Sequence, residues 1–421
     1  MPTYARPPVS VVVQQHVDDA IAQRTTRSVL VRAPHVRLRH LRRLDDRLAA
    51  SLDGVAVAGA PGIDMCRAAL AEPNPGVVFT LAVQAIDARD TDTLGRLMAV
   101  AESVPRVRSG LVSAFGWVTP SALRGITTSL LASDNGFLRG IGLSACAAHH
   151  VDPSQALRAA MVEPALARLA TRIAGHLGLR DLLGQCLDTL QITDDLALRL
   201  AAARAAVLLG DRATAITKLH ALASGPAPLG LEALRVLLKL QTADQAHALL
   251  KELARDAKQI RVLITATGIS GDPHYVPWLI KQMADLKLNR LAGEAFSMIT
   301  GADLAYIDLD MKPPEEAVFG PNDDPADADV AMDEDDSLPW PDAEKISAWW
   351  QANGSRFRPG TRYFVGEQPT LAHCLSVLKN GFQRQRAAAA EYLCLLKPGT
   401  PLFNVAAPAW RQERLLAKMG N

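Results

Sequence analysis

Aromatic side chains are scarce here: Phe, Trp and Tyr together make up 5% of 421 residues, although 49% of the chain is hydrophobic. The core must therefore be assembled from Ala, Leu, Val and Ile, a choice that suits helices approaching closely through small residues. An excess of either charge is missing as well, with 45 Lys and Arg against 44 Asp and Glu and a pI of about 7.7. Duplex-binding proteins show a basic excess or stripe, so composition disfavours nucleic acid as partner. Only five cysteines occur, at 66, 146, 186, 374 and 394, without a CxxC or a paired spacing. That pattern argues against a disulfide framework and fits buried free thiols in a reducing cytoplasm. No uncharged apolar run approaches the roughly 18 residues that would span a bilayer. The opening MPTYARPPVSVVVQQHVDDA lacks the apolar core of a signal peptide. The expectation is a cytoplasmic protein with no membrane association.

Signatures of chemistry are absent too. GxSxG, P-loop, GxGxxG and HExxH do not occur. His149-His150 is the only histidine pair, and no further ligands are spaced to complete a metal site around it. Cys374 has His373 beside it, but a thiol nucleophile needs an orienting third group and a lowered pKa. The run DEDD at 333–336 lacks the glycine and terminal glutamate of a calcium loop. We expect no catalytic residue, no metal and no cofactor.

What is present is a cadence. Between Arg139 and Asp303, an apolar run centred on an arginine is followed about 12 residues later by an aspartate opening a second apolar run. These aspartates are Asp152, Asp181, Asp211, Asp244 and Asp272, separated by 29, 30, 33 and 28 residues. Such a period marks stacked helical repeats. First helices are predicted to start near Val77, Arg108, Arg139, Arg168, Arg199, Leu231, Arg261 and Arg290. An Asp between the helices of a pair can accept from the unpaired N–H groups of the next helix, so the five aspartates read as structural caps. Asp152 and Asp272 are each followed by proline, which loses nothing at a helix start, and Thr119-Pro120 takes the same place earlier. The first helices alternate small and large residues (LATRIAGHLG, LRLAAARAAVLLG), whereas second helices such as VPWLIKQMADL are amphipathic.

Four regions follow. Residues 1–72 form an N-terminal helical cap, with leucines at 38, 41, 44, 48 and 52 in its second helix. Residues 73–302 carry the repeats. Residues 303–341 are acidic, rich in proline and irregular: a solubilising linker, or a strap lying on a basic groove. Residues 342–421 return to a helical repeat and cap, because Asn380-Gly381-Phe382 and Arg384 echo Asn135-Gly136-Phe137 and Arg139. The fold class is all-α, a right-handed α-solenoid of helix pairs.

The motif GDPHYVPWLI at 271–280 resembles HEAT-like repeats. The whole chain resembles a family of uncharacterised bacterial HEAT-repeat proteins, at QQHVDDA (14–20), LRRLDDRLAASLDGVAVAGAPG (41–62), LPWPDAEKISAWWQANGSRFRPGTRYFVGE (338–367) and RQRAAAAEYL (384–393). It departs from that family at IAQRTTRSVLVR (21–32), where the usual form is rich in aromatics. Members tend to be encoded near type VI secretion genes. The resemblance therefore implies a non-enzymatic adaptor, chaperone or immunity protein that binds a secreted effector or an apparatus component. It carries no catalytic residues. Partner contacts are expected along the concave face of such a solenoid, on the second helices: His274, Tyr275, Trp278, Lys281 and Gln282. The arginine ladder (108, 139, 168, 199, 261, 290) either pairs within the repeats, the favoured reading, or lines an anionic-partner groove through Arg139, Arg168 and Arg199. HEAT-like folds also occur in alkylated-DNA enzymes and bilin lyases, so a nucleic-acid-binding or DNA-alkylation-repair-like protein is the alternative.

Overall fold

Runs of Ala, Leu and Val broken every 10 to 14 residues by Gly, Pro, Asp or Asn become short helices, and little else forms. The protein is described by a computed structural model, which covers residues 8–225, 228–315, 320 and 332–419. Among these residues it is all-α apart from one two-residue strand pair. Three helices open the chain: α1 (Ser10–Leu30), α2 (Leu38–Ala58) and α3 (Ala60–Ala68). Helix pairs follow: α4 (Pro75–Asp87) with α5 (Thr91–Ser103), α6 (Arg108–Trp117) with α7 (Ile126–Leu131), and α8 (Gly136–Ala148) with α9 (Gln155–Val162). Next come α10 (Ala167–Leu177) with α11 (Leu183–Ile192), α12 (Leu196–Leu209) with α13 (Thr214–Ala223), and α14 (Leu229–Leu237) with α15 (Ala243–Leu253). The series ends with α16 (Ile260–Ser270), α17 (Val276–Gln282) and α18 (Asn289–Thr300). Each first helix begins within three residues of its predicted start. From α4 to α18 every first helix packs on the next one, and each second helix packs on the first helix that follows it.

Small residues set the spacing of this row. A Cβ on Gly175 of α10 would lie 2.7 Å from the Ala205 Cα of α12, and one on Gly268 of α16 would lie 2.9 Å from the Ala295 Cα of α18. Such close approach lets a core of alanines and leucines reach full density with few aromatic rings.

The expected caps divide. Asp211 accepts from the N–H groups of Ala213 and Ala215, Asp152 from Ser154 N–H, and Asp272 from His274 N–H. The other two aspartates correct the sequence reading. Thr242, in a capping box with Gln245, caps α15, and Asp244 lies inside its first turn. Asp181 sits within a 3-10 turn, and its carboxylate pairs with Arg158. Aspartate suits both of these first-turn positions through the helix dipole, so a cap and a first-turn acid look alike in a sequence. Thr119-Pro120 does not open a helix either: α7 starts only at Ile126, after Gly125 at φ +85°. First helices carry caps of their own, Asn74, Asn135 and Asp195.

After α18, the strand β1 (Asp310–Met311) pairs antiparallel with β2 (Trp340–Pro341), Asp310 lying opposite Pro341. Against expectation, the ends of the acidic segment contribute to the core. Leu304 and Leu309 join Phe296 and Ile299 of α18 in one buried cluster, and Leu338 is buried as well. The chain closes with α19 (Ala343–Asn353), α20 (Leu371–Asn380), α21 (Gln383–Leu396) and α22 (Ala409–Met419). The Asn-Gly-Phe echo serves two different junctions. Asn135 caps α8, whereas Asn380 is the last residue of α20 and Phe382 precedes α21.

These last residues do not simply extend the row. They run across the carbonyl ends of the first helices, where the final C=O groups have no partner within the helix. Val365 and Gly366 N–H donate to Met298 and Ile299, Tyr363 N–H to Gly271, Gly399 N–H to Leu208, and Leu402 N–H to His176. Arg362 donates to the carbonyls of Leu238, Lys239, Gln241 and Ser270. Arg411 donates to those of Gly116, Trp117, Val118 and Ala148. A guanidinium at a helix C-terminus gains from the dipole as well as from the bonds. Gly178 and Gly271, at φ +71° and +73°, close their helices in the left-handed region, and a Cβ on them would fall 2.3 and 2.2 Å from the carbonyl oxygens of Gly399 and Tyr363. The strip also reaches the start of the chain. Ala33, Val36, Leu38 and Leu41 share a buried cluster with Phe364, Cys374, Leu378 and Leu416.

Candidate functional site

The ladder arginines have three fates. Arg108, Arg139 and Arg199 each donate to the carbonyl six residues back, those of Glu102, Ser133 and Thr193, and so tie the turn that leads into their own helix. Arg139 also holds Glu163 at 2.6 Å. Further along, Arg290 forks onto the Asp333 carboxylate at 2.7 and 2.9 Å, while Arg261 takes Asp335 at 2.7 Å and Glu334 at 3.0 Å. The described part of the acidic segment is thus a strap on two rungs of its own chain, and three acids of the DEDD run are engaged by arginine. Arg290 lowers the Asp333 pKa through this hydrogen bond. Arg168 alone among the six has no hydrogen-bond or ion-pair partner among the described residues.

Arg168 lies in a cleft of about 450 Å³ between α10, α12 and α14. One wall is the face of α10 that carries Arg168, Arg172 and His176 at successive helical turns. The floor comes from α12 through Leu200, Ala201, Arg204 and Leu208, and the far wall from Leu229 and Glu232 of α14. Glu232 is engaged by Arg235 at 2.8 Å. Behind the floor, Glu391 of α21 takes both Arg204 and Lys239. Burial alone would raise the Glu391 pKa, but these two cations hold it down at about 2. Arg172 has no acid of its own; the cleft walls, and then Arg168 and Arg204, push its pKa below the ordinary value. Burial, reinforced by Arg204 and Arg172, pushes His176 down to about 3, so the ring is neutral at physiological pH. Its Nε2 is closed off from solvent and has no partner, as does the Nε of Arg204. Arg168 and Arg172, like charges one turn apart with no acid between them, are unfavourable neighbours until an anion arrives, and such perturbed groups mark functional sites.

Of this set, the sequence reading names only Arg168. Arg172, Arg204 and His176 escaped it, although the i, i+4, i+8 spacing within ARLATRIAGHL puts three of the four on one helix face. The second-helix residues fall elsewhere. His274 and Lys281 are exposed, Gln282 is half-buried, and Trp278 packs against the cluster around Phe296. The Tyr275 hydroxyl lies 2.5 Å from His247 Nδ1, and burial followed by Asp272 pushes its pKa up to about 12. The structure does not bring these five residues together with the arginines.

Other candidates are occupied by structural contacts. His149 Nε2 meets the Phe115 carbonyl at 2.8 Å, and His373 Nε2 that of Phe364 at 2.7 Å. The Cys374 thiol is buried and pushed up to about 12. Among the described residues no group of three or more His, Cys, Asp or Glu is arranged to hold a metal ion, and no helix is long and apolar enough to cross a membrane. A smaller cleft of about 240 Å³ holds Asp53, Asp87, Trp117, Trp410 and Arg414. Burial and the neighbouring Asp53 raise the Asp87 pKa there. Comparison of the chain with protein-family models, with curated proteins and with solved structures finds no match to any of them.

Proposed function

We propose that this protein is a non-enzymatic, protein-binding scaffold built as a right-handed α-solenoid of HEAT-like repeats. The observation that carries the reading is the serial packing of the eight first helices, each on the next, from Pro75 to Thr300. Such an array presents a long surface to another macromolecule. The carbonyl edge of the row is already covered by residues 362–366 and 399–411 of the same chain. A partner therefore meets either the exposed second-helix positions around His274 and Lys281 or the basic cleft. The family resemblance makes the partner a secreted effector or an apparatus component of a type VI secretion system, and the protein its adaptor, chaperone or immunity factor in the cytoplasm.

The test is capture on the immobilised full chain in a bacterium that carries the gene, followed by effector secretion in a deletion strain. A secretion-system component should be retained, and secretion or self-protection should fail in the deletion strain. Recovery of nucleic acid alone, or unchanged secretion, would overturn the reading. A salt-dependent shift of duplex DNA would favour the alkylated-DNA alternative instead.

A further inference from the structure

We infer that the cleft between α10, α12 and α14 is a docking groove for an extended, acidic segment of a partner protein, with acids on one edge and apolar residues on the other. The inference rests on the protein-binding reading above and specifies its chemistry. Three observations carry it. First, Arg168 and Arg172 face the cleft without an acid partner among the described residues, while the other charged groups around it are engaged: Arg204 and Lys239 by Glu391, and Glu232 by Arg235. The groove therefore has two cations to offer and no free anion of its own.

Second, the spacing fits. Arg168, Arg172 and His176 stand one turn apart, about 6 Å per step along the helix axis. Alternate side chains of an extended strand recur every 6.6–6.8 Å or so. Two acids at i and i+2 would meet the two guanidiniums, and the next residue on that edge would lie level with His176. A compact single anion would fill only the Arg168–Arg172 step and leave the rest of the groove, toward His176, empty.

Third, the floor, the start of the far wall beyond Glu232 and the approach are apolar. Leu200 and Leu208 of α12 and Leu229 of α14 line the cleft. Ile192, the last residue of α11, is 81% exposed and Leu196, the first of α12, is 39% exposed, next in sequence to the cleft-lining Ala197. Exposed apolar residues beside a lining helix suit a chain that enters and leaves, not an enclosed small molecule. Alternating acidic and apolar residues would place one row on the α10 wall and the other on α14.

The experiment uses the full chain and a fluorescein-labelled octapeptide of alternating glutamate and leucine, read by fluorescence anisotropy. Saturable binding is expected, weakening as salt rises. Arg172→Ala should weaken it about tenfold, and the double reversal Arg168→Glu, Arg172→Glu should abolish it. The same reversed protein should acquire binding to the matched lysine–leucine peptide, a gain that a misfolded variant could not show. Absence of peptide binding, or binding indifferent to the reversal, overturns the groove. So does stabilisation of the protein by inorganic phosphate alone with the same dependence on Arg172, which would make this a small-anion site. Capture from cells separates the two readings. A partner retained equally by the reversed variant refutes the groove and leaves the scaffold standing, whereas peptide binding without any cellular partner does the opposite.

Discussion

The carboxylate of Asp45, fully buried in α2, accepts the backbone N–H of Ala409 at 2.7 Å, joining positions 364 residues apart. Arg27 holds the same carboxylate at 2.6 Å and donates to the Ala406 and Ala407 carbonyls. One acid therefore fastens the first helices of the chain to its last. Asp45→Ala takes the carboxylate from a half-buried guanidinium and the acceptor from the N–H that opens α22, a loss of about 3 kcal/mol. Urea unfolding should show that loss, and trypsin should gain access to the arginines of α22. An unchanged midpoint would mean that the junction carries no stability.

Arg362 collects four carbonyls from the ends of α14 and α16, at distances of 2.5 to 3.2 Å. Removing it by Arg362→Ala should cost about 3 kcal/mol, since each bond to a charged donor contributes about 1.5–3 kcal/mol before relaxation and water replace part of it. Arg362→Lys should recover less than half, because a point ammonium cannot reproduce the fork. Full rescue by lysine would show that charge alone acts there.

The Glu391 carboxyl has an ordinary pKa near 4.5 and is held at about 2 in the folded protein. A folded-state pKa below the unfolded one gives stability that is present above pH 4.5 and is lost as the pH falls toward 2. The size is about 3 kcal/mol. Denaturant midpoints from pH 7 to 2.5 should fall more steeply for the native protein than for Glu391→Gln, which starts lower and declines less. Parallel curves would place the acid sensitivity elsewhere.

Gly271 ends α16 at φ +73° and leaves room for the Tyr363 carbonyl at only 2.2 Å from where a Cβ would stand. Gly271→Ala therefore combines left-handed strain with a collision against backbone. It should destabilise by roughly 2–4 kcal/mol and release the 354–366 strip to proteolysis ahead of global unfolding. Gly184, in α11 with open space around it, serves as the neutral comparison.

All five cysteines are buried, and burial pushes the thiols of Cys66, Cys186, Cys374 and Cys394 up to about 12. An aromatic disulfide reagent should label none of them within minutes at pH 8 in the native protein, and all five in denaturant. Rapid labelling of Cys374 would reopen the nucleophile set aside above.

The helix succession was legible because apolar periodicity and turn residues are local signals, and first-helix starts are read to within three residues. The caps were half legible: Asp152, Asp211 and Asp272 accept as their type suggests, while Asp181 and Asp244 lie one step inside the turn, where the same residue type is also favoured. What the sequence hid was long-range. Nothing near Arg362 or Arg411 announces that they serve carbonyls 90 to 300 residues away, because an exposed basic strip and a helix-capping strip have the same composition. The cleft was hidden for a related reason. Arg168 looks like any other rung of the ladder, and only the assembled row shows that the other rungs are committed while Arg168 and its neighbour Arg172 are not.

The strip that recrosses the helix ends has a kinetic consequence. Repeat arrays can usually assemble piecemeal as they emerge from the ribosome, because each unit needs only the unit before it. Here the carbonyls left open at residues 271, 208, 176 and 116–118 find their donors only when synthesis has passed residues 363, 399, 402 and 411. The nascent row must wait, partly finished and adhesive, for its own tail to arrive, so its melting should be a single cooperative event and its refolding slow for so helical a chain.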